Sequence, residues 1–292
     1  MPAASPRPSL FASPSGFAIR FPEGSDALDQ DEEWFEFDLE GRSRRLRIQD
    51  YAELYSVPGL YEALVYDTLV CKSPQRLAKL FAAVLADWRT EASDLRVLDL
   101  GAGNGVVAEE LRKLGVRHLV GLDLLTEAEL AAHRDRPGLY ADYLVTDLCS
   151  PPESDMSRLE QHRLNCLVTV AALGFGDIPP EAFSTAFNSI APNGWLGITI
   201  KDEFLDPGDK SGFAGFVKTM IDQRIIEIQA YQHYCHRLSI TGEKLFYVAV
   251  VARKMRDIPD SLPSELDQRR DAAIDNNDKN GKHITMLLGT PN

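Results

Sequence analysis

The sequence predicts an α/β fold in which a mostly parallel seven-stranded sheet carries helices on both faces and ends in an antiparallel hairpin. Three observations point there. From residue 96 onward, short apolar runs alternate with amphipathic segments, the rhythm of a parallel sheet with crossover helices. Two long strand-like segments, 225–238 and 245–253, have only Ser239 to Lys244 between them, too little for a parallel crossover. Hydrophobic residues make up 44% of the 292 residues and charged ones 26%, enough for one sizeable core.

Taken in order, residues 1–22 are rich in Ser, Pro and Ala and read as a disordered tail without the apolar stretch of a signal peptide. An extension over 23–72 follows. Within it Phe35, Phe37 and Leu39 alternate with acids, Gly41 marks a turn, and Arg42, Arg44, Arg45 and Arg47 come next. This pattern predicts a β-hairpin with an acidic strand facing a basic one, the alternative being a solvated charge run. The aromatics and leucines of 51–70 fit helical pieces broken at Pro58-Gly59, together a helical cap.

The main domain is expected over 73–255. Ser73-Pro74 reads as an N-cap and first turn, with Leu77, Leu80, Phe81, Val84 and Leu85 as the apolar stripe of the helix. Strands are expected at 96–100, 118–123, 143–147, 164–170 and 195–201. Helices are expected at 106–114, from the Thr126–Glu129 capping box, at 180–190 and at 211–223. Residues 256–292 are polar and read as a flexible tail.

The net charge is −13, from 31 basic against 44 acidic residues, which argues against a phosphate-backbone partner. No run approaches the roughly 18 apolar residues that span a bilayer. Cys71, Cys149, Cys166 and Cys235 form no CxxC pair and read as free buried thiols of a reducing, cytoplasmic compartment. His233-Tyr-Cys-His236 lacks a second ligand pair, so no metal site is expected.

The chemistry concentrates in Val97-Leu-Asp99-Leu-Gly101-Ala-Gly103-Asn-Gly105, a strand running through a glycine-rich turn into a helix. Glycines there let backbone amides approach a ligand. A dinucleotide fingerprint wants its third glycine at 106, where Val stands. Asp99, just before the turn, suits a ligand with an ammonium group and would repel a pyrophosphate. Asp123 ends the second strand, where a carboxylate accepts hydrogen bonds from ribose hydroxyls, and Asp147 ends the third, where it can take an adenine amino group.

Val97 to Leu111 resembles motif I of the class I S-adenosylmethionine-dependent methyltransferases, and Gly121-Leu-Asp123 resembles their second motif. The likeness spans roughly 50–255 and includes the hairpin after the fifth strand. It implies a Rossmann-like fold and S-adenosyl-L-methionine as cofactor. Asp99 and the turn Gly101, Ala102, Gly103 and Gly105 would hold the methionine moiety. Asp123 with Leu124 would hold the ribose, Asp147 with Leu148 the adenine, and Ala171 and Ala172, just past the fourth strand, would lie near the methyl group. Asn165 stands where the family often has Asp. Tyr61 to Leu77, Gly105 to Leu111, Pro137 to Tyr140 and Ile178 to Ala182 resemble the subgroup of the methyltransferase-like protein linked to the Williams–Beuren deletion.

Methyl transfer needs alignment and, for some acceptors, a base. Candidates are Tyr61, His233 and His236, although His236 lies on a strand of alternating polar and aromatic residues where packing is the simpler role. Ala171-Ala-Leu-Gly174 lacks the Asn/Asp-Pro-Pro-Tyr/Phe pattern used on nucleobase amino groups, and no Pro-Cys dipeptide is present. With the acidic charge, these absences favour a small molecule or a protein side chain over nucleic acid, and a small molecule is the leading expectation. A non-catalytic module or protein methyltransferase is the alternative, and an NAD(P) oxidoreductase is disfavoured by the glycine spacing.

Overall fold

The computed structural model of the chain describes residues 10–12, 16–22, 32–173, 177–205 and 213–263. The acidic stretch 23–31, residues 264–292 and most of the expected N-terminal tail lie outside the described residues.

Strands β1 (Leu10–Ala12), β2 (Ala18–Arg20), β3 (Trp34–Leu39) and β4 (Arg42–Arg47) form an antiparallel sheet in that order. The hairpin is the expected one: Glu36 faces Arg45 and Asp38 faces Ser43. The alternation that signalled it sends Phe35 and Phe37 inward onto Ile19. The tail expected over 1–22 is corrected here, because β1 and β2 add two strands and Ile19 and Phe21 are buried. Next come α1 (Tyr51–Ser56) and α2 (Leu60–Glu62), broken at Pro58-Gly59 as expected, and then a π-helical stretch Ala63–Thr68.

The main sheet contains β5 (Arg96–Leu100), β6 (His118–Asp123), β7 (Asp142–Val145), β8 (Cys166–Leu173), β9 (Trp195–Lys201), β10 (Ile226–Leu238) and β11 (Lys244–Lys254). Its order is β10-β11-β9-β8-β5-β6-β7; five strands are parallel, and β11 inserts antiparallel between β9 and β10. Successive residues on each strand face opposite ways. Leu98, Leu122, Leu167 and Ile198 meet α7 (Pro180–Asn188) and α8 (Phe213–Asp222) through Phe183, Phe187 and Phe216. Val97, Leu119, Val168 and Trp195 meet α3 (Ser73–Asp87) and α4 (Val106–Lys113) on the other side. Helices α5 (Thr126–Asp135) and α6 (Glu153–Gln161) complete the layers.

Several local expectations change. Thr126 does not cap α5: its N-cap position is Leu125, which forms no side-chain cap. Residues 256–263 are not the start of a flexible tail as expected, because Ile258 and Leu262 are buried in the core and Asn188 bonds both the N–H and the C=O of Ile258. Lys254 is buried, with Nζ on the carbonyls of Phe187 at 2.8 Å and Ile190 at 2.7 Å, capping the end of α7. Asn165 accepts the N–H of Arg96 and donates to the carbonyl of Asp94, joining β8 to β5 at the end of the sheet away from the glycine turn. Of the four cysteines, none in a disulfide, Cys71 and Cys166 are buried, Cys235 is half-buried and Cys149 is exposed.

Candidate functional site

β5 is buried on both faces, so the chain leaving it must turn sharply into α4. Gly101, Gly103 and Gly105 all take positive φ there. The turn is tied to β6: the amides of Gly101 and Ala102 donate to the carbonyl of Leu122 at 2.9 and 3.1 Å, and that of Gly103 donates to Asp123 Oδ2 at 2.9 Å. Tyr143 donates its hydroxyl to the Gly103 carbonyl. Asn104 donates to Glu62 at 2.9 Å, and Arg136 binds both Glu62 and the Asn104 carbonyl, which fastens the N-terminal extension to the turn.

Above the turn lies a cavity of ≈ 600 Å³. Of the residues singled out in the sequence, Gly101, Ala102, Gly103, Asp123, Leu124, Asp147, Leu148, Ala171, Ala172, Tyr61 and His236 line it. Asp123 keeps Oδ2 on Gly103 and Oδ1 on the N–H of Leu125 at 3.1 Å; burial raises its carboxyl above the usual range while these amides oppose the shift. Asp147 sits two residues past β7, its Oδ1 accepting the N–H of Cys149. Ala171 and Ala172 lie inside β8 and not beyond it. Ala171 has φ +56 and donates its N–H to Thr199 Oγ1, bulging the strand out of register between Thr169 and Leu173.

Asp99, Gly105 and His233 do not line the cavity. Asp99 is buried beneath the turn on the α3–α4 side of the sheet. It accepts the Tyr140 hydroxyl at 2.8 Å, and burial pushes its carboxyl up to about 7. Gly105 is the left-handed residue preceding α4. His233 points outward and pairs with Asp202 at 2.9 Å.

The other end of the cavity was legible only through the two isolated candidates Tyr61 and His236. Tyr51, Tyr55, Tyr61 and Tyr66 form a chain of ring contacts, with the Tyr55 and Tyr61 centroids 4.9 Å apart. Opposite them His236 packs on Tyr247 with centroids 4.0 Å apart. Ser73 is not the expected N-cap; that position is Lys72. Its Oγ instead lies 2.6 Å from His236 Nδ1 and 2.5 Å from the Tyr234 hydroxyl. The aromatic spacing of 51–66 and the candidate His236 carried the signal for this end, the first reading equally well as helix packing and the second more simply as strand packing. Among the described residues, no group of three or more His, Cys, Asp or Glu is arranged to hold a metal ion.

The cavity wall is acidic. Among the described residues, Asp50, Glu53, Asp123, Asp147 and Asp177 line it against the single cation Arg237. That guanidinium is held by buried Glu33 at 2.6 Å. A pyrophosphate would meet acids and no available cation here, whereas a positively charged ligand is favoured.

The family model described as "Methyltransferase domain" matches residues 70–237, more than half of the chain. The chain belongs to the methyltransferase-domain family. A search of the curated proteins finds no match. Among solved structures, similar ones include an S-adenosylmethionine-dependent methyltransferase of Methanosarcina mazei, at 18% identity over 60% of this chain and 98% of that one, TM-score 0.43. Another is the magnesium protoporphyrin IX methyltransferase of Synechocystis PCC 6803 with bound S-adenosylmethionine, at 13% identity over 62% and 79%, TM-score 0.44. A third is the ribosomal protein L11 methylase of Lactobacillus delbrueckii subsp. bulgaricus, at 16% identity over 63% and 79%, TM-score 0.42.

The methyl donor of the family is S-adenosylmethionine, and the residues present fit it. Its sulfonium and ammonium suit the acidic wall. The cradle over Gly101 is close, since a Cβ there would lie 3.1 Å from the Cβ of Ala172. Each oxygen of Asp123 uses one lone pair on a backbone amide and keeps another for a ligand hydroxyl.

Proposed function

We propose that this methyltransferase transfers a methyl group from S-adenosylmethionine to a small-molecule acceptor bound in the same cavity. The observation that carries this reading is the continuity of one acidic cavity from the glycine turn to the tyrosine-lined end. Its volume lies within the roughly 300–1,000 Å³ of small-ligand pockets.

In this reading Asp123 and Leu124 hold the ribose, Asp147 and Leu148 the adenine, and the Gly101–Gly105 turn the methionine portion. The bulge at Ala171 and Ala172 shapes the wall beside the methyl group. Asp99 supports the turn from beneath through Tyr140, rather than touching the ligand. The cofactor supplies an electrophilic carbon, so the protein's own work is alignment and exclusion of water. The N-terminal sheet β1–β4 with the helical pieces up to residue 72 acts as a cap on the domain that begins at Ser73 and packs Ile258 and Leu262 into its core. Four unpaired cysteines and the absence, among the described residues, of a helix long and apolar enough to cross a membrane are consistent with a cytoplasmic enzyme. The likeness of Tyr61–Leu77 and the other short segments to the Williams–Beuren-linked subgroup is a further part of this proposal and rests on those segments alone.

The test is transfer of a labelled methyl group to a panel of small neutral acceptors, alongside calorimetric binding of S-adenosylhomocysteine. Binding with turnover on the panel supports the reading. Binding without turnover on small molecules, peptides or proteins would instead leave a module that binds the cofactor without catalysis.

A further inference from the structure

We propose that His236, positioned by Ser73, is the catalytic base for a neutral aromatic hydroxyl bound against the tyrosine wall. This rests on the reading of the cavity as a methyltransferase site and names the acceptor's chemical class.

Three observations converge. First, His236 lies in the cavity wall, and Nδ1 is taken by Ser73 Oγ at 2.6 Å, with Tyr234 fixing that hydroxyl from its far side at 2.5 Å. Among the described residues Nε2 has no hydrogen-bond partner, which leaves it as the ring nitrogen available to a ligand in the cavity that His236 lines. In the proposed tautomer Nδ1–H donates to Ser73 Oγ, whose own proton goes to the Tyr234 hydroxyl, and Nε2 presents a lone pair. Ser73 is thus a positioning residue.

Second, among the described residues the wall has one cation, Arg237, and it is bound to Glu33, so a carboxylate or phosphate acceptor would be left uncompensated in an acidic cavity. Third, Tyr51, Tyr61 and Tyr66 on one side and Tyr247 on the other present aromatic surface suited to a planar ring.

Neighbouring groups do not compete for the proton. Burial pushes the Cys71 thiol up to about 11 and the Tyr61 hydroxyl up to about 12, and it raises Tyr66 and Tyr234 as well. Burial, then the charge of Arg237, keeps the His236 imidazole neutral well below its usual range. Among the described residues, Cys71 and Ser73 contact Nδ1, Tyr247 packs against the ring and Arg237 acts on its charge.

The step balances. The acceptor hydroxyl gives its proton to Nε2 as its oxygen bonds to the methyl carbon. The carbon–sulfur bond breaks with its pair left on sulfur, and the imidazolium then loses the proton to water. The positive charge lost at sulfur appears on the imidazole, so the net charge of the cavity is unchanged. An amine acceptor, neutral and already nucleophilic, would not need the base in this way.

The experiment uses the full chain saturated with S-adenosylhomocysteine and three probes: 2-naphthol, 2-naphthoate and 2-naphthylamine. Calorimetry should give naphthol at least about tenfold tighter binding than naphthoate. Nitrogen NMR should show the Nδ1–H tautomer of His236, with its Nε2 resonance moving when naphthol binds. His236→Gln should keep S-adenosylhomocysteine affinity within about twofold and lower transfer to phenols by about 100-fold or more. Ser73→Ala should shift the tautomer balance and lower kcat more than it raises KM. Tighter binding of naphthoate, an unmoved Nε2, or full transfer by His236→Gln overturns the proposal while S-adenosylhomocysteine still binds. Failure of the wild type to bind S-adenosylhomocysteine overturns the underlying reading instead.

Discussion

The hydroxyl of Tyr55 occupies the space that a side chain on Gly103 would fill. The N-terminal extension thus closes directly onto the glycine turn, and the two cannot vary independently. Gly103→Ala meets this hydroxyl and also a φ of +52. It should cost about 1–3 kcal/mol of stability and weaken S-adenosylhomocysteine binding. Adding Tyr55→Phe should return part of both losses, because it removes the colliding oxygen and leaves the ring. Denaturation and calorimetry on the two variants check this, and strictly additive effects would contradict it.

Glu33 and Arg237 join the extension to the β10–β11 hairpin inside the protein. Oε2 of Glu33 takes the guanidinium at 2.6 Å, and Oε1 takes the N–H of Ile240 at 2.8 Å. Both side chains are nearly inaccessible, at 5% and 3% exposure, so removing one leaves an uncompensated buried charge. Glu33→Ala should lower stability by about 3–5 kcal/mol in chemical denaturation. An effect within the ~0–1 kcal/mol of a surface pair would show that water reaches the site.

Asp99 makes stability depend on pH in a defined direction. Its carboxyl titrates at about 7 in the folded chain against 3.8 ordinarily, chiefly through burial. A raised folded value favours the protonated form, so its contribution is complete below about 3.8 and is lost as pH rises through about 7. Asp99→Asn keeps an oxygen for the Tyr140 hydroxyl and removes the charge. The variant's melting temperature relative to wild type should therefore climb between pH 5 and pH 8. Parallel profiles across that range would rule out the shift.

The fold was legible because its determinants are local. Alternation in 35–39, the apolar runs at 96–100 and 118–123, and the short Ser239–Lys244 link each restrict the chain to one arrangement. The glycine turn and Asp123 were legible for the same reason. Asp99 was placed on the wrong side because one residue of register decides which face of a strand it joins, and Leu98 and Leu100 take the other face. The Ser73–His236 pair lies 163 residues apart in sequence, and only the position of β10 beside α3 brings it together. Ser73 before Pro74 carries the local signature of a cap, which tertiary contact overrides. Composition alone misread residues 18–21 and 258–262, where Ile19, Phe21, Ile258 and Leu262 are buried.

The most direct measurement is calorimetric binding of S-adenosylhomocysteine to the wild type and to Asp123→Ala. The wild type should bind in the micromolar range. The variant should bind about tenfold more weakly or worse, having lost a charged acceptor that also anchors the N–H groups of Gly103 and Leu125. No binding by the wild type at millimolar ligand, or equal binding by the variant, would contradict the assignment of this cavity.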